Sequence, residues 1–257
     1  MTTILLERDG ALARIILDRP DRHNALTTSM KDELAAAMGE VAADDAVRAV
    51  VLAANGRSFC VGQDLGEHAE ALADGADAAF ATVRAHYTPI VRGLMTMPKP
   101  VVAAVSGACM GAGLGFALAC DHRVFAADAR LGTAFSAIGL TFDSGLSYTL
   151  PRAVGVQRAA ELMLLTASFS PEQAISWGVG GEIAEDPIAR AMEVAGRLAA
   201  GPTVAYAQTK RMLLDLPSLE AALEAEAEGQ TVSGATDDHW GAVQAFLSRE
   251  TPSFHGR

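Results

Sequence analysis

Apolar residues recur along this chain with two periods, one typical of strands and one typical of helices. The strand-like runs Thr3–Arg8 and Ala11–Asp18 flank an Asp-Gly pair, which is the usual signal of a β-hairpin. Continuous apolar runs at Val47–Ala53 and Val101–Ser106 predict strands buried on both faces. Met30–Val41 has apolar residues at helical spacing and predicts an amphipathic helix. Strands that alternate with helices indicate an α/β fold.

The pattern becomes helical after about residue 155. Ser170, a following proline and Gln173 form a capping-box start, and Asp186-Pro187 begins another helix in a similar way. Further helices are predicted at Ala78–Met97 (interrupted near Pro89), Thr203–Leu216, Leu219–Gly229 and Asp237–Arg249, with Pro217 and the Gly234 region as separators. We therefore expect a core over residues 1–197 and a C-terminal helical region over residues 198–257.

Two windows of the chain are almost free of charge, although charged residues make up 20% of it. Pro100–Cys120 holds none and is long enough to cross a bilayer. Prolines enter this window, glycines interrupt it and no basic flank follows it, so we predict a buried strand, a Gly-rich turn and a buried helix instead. The second window, Leu131–Pro151, holds one charged residue, Asp143.

Composition excludes several classes of protein. Half of the residues are hydrophobic, so the chain is not disordered. A net charge of −11 argues against nucleic acid or an anionic membrane as the main partner, while a local basic pocket for one anionic ligand remains compatible with it. Three cysteines without CxxC spacing and the absence of a signal peptide predict a cytoplasmic protein. The scattered histidines predict no metal site.

Two glycine-bearing turns follow the buried strands. Ser58–Leu65 comes after Val47–Ala53, and Gly107–Gly113 comes after Val101–Ser106. Such turns expose backbone N–H groups, and two converging N–H donors form an oxyanion hole, the site that binds a negatively charged oxygen during a reaction. The alternative is that the glycines only allow a helix and a strand to pack closely.

Asp143 is a candidate acid or base because its neighbours along the chain are apolar. A carboxylate in such surroundings has a raised pKa and exchanges protons near neutral pH. The alternative is an ordinary turn or helix cap, since Asp143-Ser144-Gly145 is also common turn chemistry.

At these motifs the sequence resembles the crotonase (enoyl-CoA hydratase/isomerase) superfamily over nearly its whole length. The matching segments are Arg19–Leu26, Phe59–Leu65, Pro98–Asp121 and Leu150–Gly155. The resemblance implies a spiral of ββα units with a C-terminal helical trimerisation region. It also implies a homotrimer or a hexamer built as a dimer of trimers.

The resemblance further implies an acyl-CoA thioester as substrate and no cofactor beyond the coenzyme A that the substrate carries. The backbone N–H groups of Gln63 and Ala112 would hold the thioester oxygen. Phe254 and Arg257 of a neighbouring subunit would cover the coenzyme A. Seven further residues would line its site: Arg22, His23, Ala25, Leu26, Val61, Gly62 and Asp64.

The chain departs from the hydratase pattern at the two catalytic glutamates. The matching positions hold Gly115 and Phe135, which cannot act as an acid or a base. The pattern around Asp143 resembles the branch typified by ring-1,2-epoxyphenylacetyl-CoA isomerase, in which one Asp moves a proton between two carbons. Isomerisation of a double bond by Asp143 is therefore the first hypothesis.

Three more hypotheses stay open. The loop around Asp143 also resembles that of 4-chlorobenzoyl-CoA dehalogenase, in which the Asp is a nucleophile and a His on the preceding helix is the base. Here His86 is near that position, about half a helical turn out of register. A hydratase with atypical acid and base groups is the next hypothesis, and a non-catalytic acyl-CoA-binding protein is the last.

Overall fold

Two β-sheets form the framework of the computed structural model, which describes residues 2–257. The strands in this range are β1 (Ile4–Asp9), β2 (Leu12–Leu17), β3 (Ala49–Ala54), β4 (Ser58–Cys60), β5 (Val101–Val105), β6 (Ala108–Met110), β7 (His122–Ala126), β8 (Arg130–Gly132) and β9 (Glu182–Ala184). The larger sheet has the order β1-β2-β3-β5-β7-β9 and the smaller one β4-β6-β8. Only β1 and β2, the predicted hairpin, pair antiparallel among these strands.

From β3 onwards, consecutive strands alternate between the two sheets. β3, β5 and β7 belong to the larger sheet, and each is followed by a short strand of the smaller sheet. A helix then returns the chain to the next repeat. This arrangement is the spiral of ββα units, so the predicted α/β class and the crotonase-like core are confirmed.

Twelve α-helices cover the remainder of the described range. They are α1 (Thr28–Ala43), α2 (Leu65–Leu72), α3 (Ala76–Thr82), α4 (Thr88–Thr96), α5 (Ala112–Ala119), α6 (Leu146–Val154), α7 (Val156–Leu164), α8 (Pro171–Trp177), α9 (Pro187–Ala199), α10 (Thr203–Leu213), α11 (Leu216–Gly234) and α12 (Asp237–Ser248). The capping box predicted at Ser170 and Gln173 is present at the start of α8.

The continuous apolar runs are explained by burial on both faces of the larger sheet. Every residue of β3 and β5 is buried. One face, which includes Val51 and Val102, packs against Ala191 and Val194 of α9, while the other face joins the main core. Helices on both sides leave no solvent-facing side, so the two-residue polar alternation is absent.

The uncharged window Pro100–Cys120 forms β5 and α5, as predicted, but the segment predicted as a Gly-rich turn also contains the short strand β6. Its glycines lie at the turns and in α5, where neighbouring backbone approaches closely. None of the helices within residues 2–257 combines the length and hydrophobicity needed to cross a bilayer.

Several predicted helix bounds were wrong. The interruption near Pro89 is a single π-helical stretch, Val83–Tyr87, between α3 and α4, and Pro89 itself occupies the first turn of α4. Pro217 does not separate two helices but lies in the first turn of α11, where its missing N–H costs no intrahelical bond. Consequently α10 ends at Leu213, and α11 continues to Gly234.

The C-terminal helices pack against the spiral core. α11 contacts α3 and α6, and its side chains Leu219, Leu223 and Ala227 belong to the main hydrophobic core. α12 contacts α2 and the loop before α6. The division near residue 198 stays a prediction, and α9 spans it.

Candidate active site

A cavity of about 1200 Å³ lies where the two glycine-bearing turns, the loop before α6 and the C-terminal helix α12 meet. Its walls include Gln63, Ala112 and Asp143, the three residues predicted to be catalytic. They come from distant parts of the chain, so the fold places the predicted chemistry in one pocket.

The two turns present backbone amides in the same way. Each donor amide follows a glycine with positive φ: Gly62 (89°) precedes Gln63, and Gly111 (54°) precedes Ala112. The turns are in contact, because a Cβ on Gly62 would lie 3.6 Å from the nitrogen of Ala112. Neither amide hydrogen has an acceptor within residues 2–257. Two adjacent unpaired donors on a cavity wall are what an oxyanion hole requires.

Other glycines of these turns serve close packing. A Cβ on Gly113 would lie 2.4 Å from the carbonyl oxygen of Cys60, and one on Gly107 would lie 1.8 Å from that of Arg57. The close-packing interpretation therefore holds at Gly107 and Gly113. The oxyanion-hole interpretation, which concerns the amides that follow Gly62 and Gly111, stays a prediction.

The side chain of Gln63 is fixed from behind the cavity wall. Its Oε1 accepts hydrogen bonds from Lys31 Nζ at 3.1 Å and from the Tyr87 hydroxyl. Lys31 also donates to Thr82 Oγ1 at 2.5 Å and lies 5.0 Å from the centre of the Tyr87 ring. Burial lowers the pKa of Lys31 to about 8. This network restrains the peptide that carries one of the two amide donors.

Asp143 is buried and faces the cavity. Its Oδ1 accepts a hydrogen bond from the Ser144 hydroxyl at 2.7 Å, and its Oδ2 accepts one from Gln230 Nε2 at 2.8 Å. Desolvation, with a smaller effect from Glu226, raises the pKa of Asp143 to about 7, while the two hydrogen bonds and Lys31 oppose the shift. The carboxyl can therefore both give and take a proton near neutral pH.

The loop that carries Asp143 is held by a second buried carboxylate. Glu226 on α11 accepts hydrogen bonds from the backbone N–H of Gly145 at 2.9 Å and of Ser147 at 2.8 Å. Burial raises the pKa of Glu226. The helix-cap interpretation of Asp143 does not hold, because α6 begins after Gly145 without a side-chain cap. Asp143 does form a turn, since its carbonyl accepts from the N–H of Leu146.

The positions matched to the two hydratase glutamates offer no acid or base. A Cβ on Gly115 would lie 2.4 Å from the carbonyl oxygen of Ser144 and 2.6 Å from its Cβ. The loop that carries Asp143 therefore occupies the space that a side chain at position 115 would need. Phe135 is an apolar part of the cavity wall.

The residues predicted to bind coenzyme A lie mostly at one end of the same cavity. Asn24 anchors their segment, because its side chain donates to the carbonyl oxygens of Asn55 at 3.0 Å and Ser58 at 2.8 Å. Asp64 caps α2 and pairs with Arg19 at 3.1 Å, which holds the pKa of its carboxyl below the usual value. The predicted binding residues on the wall are Arg22, His23, Ala25, Val61, Gly62 and Asp64.

Three predicted binding residues are absent from the wall within residues 2–257. Leu26 is fully buried, and its backbone connects the segment around Asn24 to the segment around Gln63. Its N–H donates to the Gly62 carbonyl, and its carbonyl accepts from the Asp64 N–H. Phe254 and Arg257 lie in the C-terminal segment beyond α12. The role predicted for these two in a neighbouring subunit stays a prediction.

Sequence reasoning missed the residues that support the site. Lys31, Glu226 and Gln230 are polar residues on helices with otherwise ordinary patterns. Only tertiary packing places Lys31 against Gln63, and Glu226 and Gln230 against the loop that carries Asp143. It also missed a buried histidine pair, His68 and His239, whose Nε2 atoms lie 2.9 Å apart. His68 lines the cavity, and burial lowers its pKa to about 4.

Thiol and metal chemistry receive no support in the described residues. The three cysteines are buried free thiols, and burial raises the pKa of each one. Residues 2–257 contain no group of three or more His, Cys, Asp or Glu side chains placed to hold a metal ion.

Comparison with known proteins adds an independent result. A family model described as "Enoyl-CoA hydratase/isomerase" matches residues 7–257. The chain belongs to this family. The membership predicted from the four motifs is confirmed, and with it an enzyme of the crotonase superfamily whose substrate class is the acyl-CoA thioester.

Relatives of this family member differ in the reaction that their names describe. It is 34% identical over 261 residues to a 1,2-epoxyphenylacetyl-CoA isomerase of Escherichia coli (strain K12), with 100% of each chain covered. It is 32% identical to the 4-chlorobenzoyl coenzyme A dehalogenase-2 of Arthrobacter sp, over 97% of this chain and 92% of the relative. The crystal structure of an enoyl-CoA hydratase from Mycobacterium avium subsp. paratuberculosis K-10 superposes with a TM-score of 0.87 at 31% identity, covering 98% of each chain.

Proposed function

We propose that this enzyme is an acyl-CoA isomerase that moves a carbon–carbon double bond by proton transfer through Asp143. The observation that carries the proposal is the buried, hydrogen-bonded Asp143 carboxyl, whose pKa of about 7 suits both removal and return of a proton. The similarity to an isomerase of E. coli over the full chain supports the same reaction class.

In the proposed reaction, the ionised Asp143 removes a proton from one carbon of an enoyl chain. The electrons of the C–H bond enter a dienolate, and the negative charge develops on the thioester oxygen. The amides of Gln63 and Ala112 hold that oxygen, and each such donor contributes about 10²–10³ in rate. The protonated carboxyl then returns the proton two carbons along the chain, so no external acid or base is consumed.

The coenzyme A part of the substrate is proposed to bind along Arg22, His23 and Ala25. Leu26, Val61, Gly62 and Asp64 shape the same end of the cavity. Phe254 and Arg257 are proposed to complete it in a homotrimer or hexamer. Large apolar side chains are exposed at the end of α7 (Leu164 and the following Leu165) and on α10 (Met212 and Leu213), which supports burial against other subunits. We propose a cytoplasmic location.

The structure weakens the two other catalytic hypotheses. Gly115 and Phe135 supply no acid or base, so a hydratase with atypical groups would have to find both its acid and its base at other positions of the site. A dehalogenase needs an ionised Asp143 as its nucleophile, and it needs a histidine of the enzyme that can act as a base in the cavity. His86 instead shares a hydrogen bond with Thr82 at 2.9 Å and lies 3.3 Å from Asp32, and it does not itself line the cavity. The products formed in the following test distinguish both hypotheses from isomerisation.

The test incubates the protein with separate 2-enoyl-CoA, 3-enoyl-CoA, aryl-CoA and halogenated aryl-CoA thioesters and identifies the products by mass spectrometry and NMR. Interconversion of the 2-enoyl and 3-enoyl forms is expected, with a loss of about 10²–10⁴ in rate for Asp143→Asn. Asp128→Asn, on an exposed turn, is the matched control.

Full activity of Asp143→Asn would refute the mechanism. Formation of 3-hydroxyacyl-CoA would favour a hydratase, and release of halide would favour a dehalogenase. Binding of acyl-CoA without turnover of any thioester in the panel would identify a non-catalytic binding protein.

A further inference from the structure

Gln230 is a buried hydrogen-bond partner of Asp143, and only one end of its side-chain amide is hydrogen-bonded. Its Nε2 donates to Asp143 Oδ2 at 2.8 Å, while its Oε1 has no hydrogen-bond partner within residues 2–257. The residue is fully buried in α11, so the unpaired oxygen is not exposed to bulk water. A buried amide oxygen without a donor is costly, and its retention beside an acid or base calls for a reason.

The two protonation states of a carboxyl need different partners. An ionised carboxylate only accepts hydrogen bonds, whereas the protonated acid also has one O–H to donate. A primary amide carries a donor and an acceptor that exchange places when the group rotates by half a turn. In the present orientation Nε2 meets Oδ2; after rotation Oε1 would meet an O–H at that position. In the present orientation Oε1 is unpaired, so no donor within residues 2–257 holds that end of the amide in place.

We propose that Gln230 is a positioning residue that rotates its amide as Asp143 changes protonation state, donating to the carboxylate and accepting from the acid. The proposal rests on the proposed function, since it is the proposed proton transfer that takes the Asp143 carboxyl through both protonation states during turnover. Its consequence is that the carboxyl keeps a hydrogen-bond partner, and with it its orientation, through the whole proton transfer.

The other groups around Asp143 within residues 2–257 make no hydrogen bond to its Oδ2. Glu226, on the same helix, is committed to the backbone N–H groups of Gly145 and Ser147. Lys31, from α1, acts on Asp143 through its charge, and its Nζ donates to Gln63 and Thr82. Tyr87, from the π-helical stretch, also donates to Gln63. The Ser144 hydroxyl serves the other carboxylate oxygen.

The first test observes the amide directly and needs no substrate. The chain has six glutamines, so selective ¹⁵N labelling and a Gln230→Met spectrum assign the side-chain NH₂ signals of Gln230. In the wild type, one Nε2 proton signal is expected at low field at high pH and should move upfield as the pH falls through the pKa of Asp143. That pKa is followed independently by the ¹³C signal of the Asp143 carboxyl. In Asp143→Asn, the Gln230 signal should not titrate.

The second test is kinetic and uses two variants on α11. Gln230→Met removes both ends of the amide and is expected to lower kcat about 10-fold with KM changed less than about 2-fold, since the substrate-binding residues are untouched. Thr231→Val removes a neighbouring hydroxyl that bonds only to the Ala227 carbonyl, and it should keep wild-type kcat.

The outcomes separate this proposal from the proposed function. If Asp143→Asn loses activity but the Gln230 NH₂ signal stays at low field at every pH, the rotation is refuted and the isomerase proposal stands. Equal kcat for Gln230→Met and the wild type would also refute it. If Asp143→Asn is fully active, the proposed function fails, whatever the NMR titration shows.

Discussion

Asp143→Asn should make the folded protein more stable while it abolishes proton transfer. In the unfolded chain the carboxyl has its ordinary pKa of 3.8, and in the folded protein desolvation raises the pKa to about 7. The raised pKa means that the folded protein favours the protonated Asp143 carboxyl. At any pH at which this carboxyl is ionised in the unfolded chain, its burial therefore lowers the free energy of unfolding. The penalty is absent below pH 3.8, grows as the pH rises from 3.8 to about 7, and is constant above that.

The size of the effect follows from the same two pKa values. One pKa unit corresponds to about 1.4 kcal/mol, which sets a ceiling of about 4 kcal/mol at pH 8. A buried asparagine still loses hydration, so we expect a net gain of about 1–3 kcal/mol. The Ser144 hydroxyl remains able to donate to the asparagine oxygen, and Gln230 can accept from its amide.

Urea unfolding at pH 4 and pH 8 measures this difference. Both proteins must be compared at the same concentration, since the stability of the proposed oligomer would depend on it. Asp128→Asn makes the same change of charge on an exposed turn and should alter the free energy of unfolding by less than about 0.5 kcal/mol. An Asp143→Asn protein that is less stable than the wild type at pH 8, or equally shifted at both pH values, would refute the reasoning.

Three further predictions concern the surroundings of the site. Lys31→Met removes a buried cation that lowers the pKa of Asp143, so the basic form of Asp143 should appear at higher pH in a pH–rate profile; an unchanged profile would contradict the coupling. Gly115→Ala places a Cβ 2.4 Å from the Ser144 carbonyl oxygen and should cost about 1–3 kcal/mol in urea unfolding and reduce activity by displacing the loop; wild-type values for both would show that the loop yields freely. Burial lowers the pKa of His68 from 6.5 to about 4, so between these pH values the unfolded chain binds a proton that the folded protein does not. The free energy of unfolding of the wild type should therefore fall by about 2 kcal/mol more than that of His68→Phe between pH 6.5 and pH 4. Parallel curves of unfolding free energy against pH for the two proteins would refute this.

The hydrophobic pattern predicted most of the core. Strands such as β3 and β5 can be recognised from the sequence because burial on both faces requires a continuous run of apolar residues. The positions of Gly62 before Gln63 and of Gly111 before Ala112 could also be recognised from the sequence. Each turn needs a residue with positive φ, and glycine is favoured there. Asp143 could be selected because it is a charged residue in an apolar window, which is a local property too.

The support of the site could not be predicted from the sequence. Gln230 lies 87 residues from Asp143, and a glutamine on a helix has no local property that marks it as an active-site residue. Lys31 is adjacent to the apolar face of α1, and lysines are rarely fully buried, so its pattern favours a solvated position. Helix bounds failed at Pro217 because proline both ends and begins helices, and only packing decides which.

The dependence of Asp143 on α11 also has a consequence for the order of synthesis. A ribosome adds about 5–20 residues per second, so the 87 residues between Asp143 and Gln230 take about 4 to 17 s to follow. During that time the nascent spiral has its catalytic loop but neither the glutamate that anchors it nor the amide that orients it. Completion of the site is thus one of the last events of biosynthesis, and a prematurely terminated chain would carry Asp143 without the buried environment that raises its pKa.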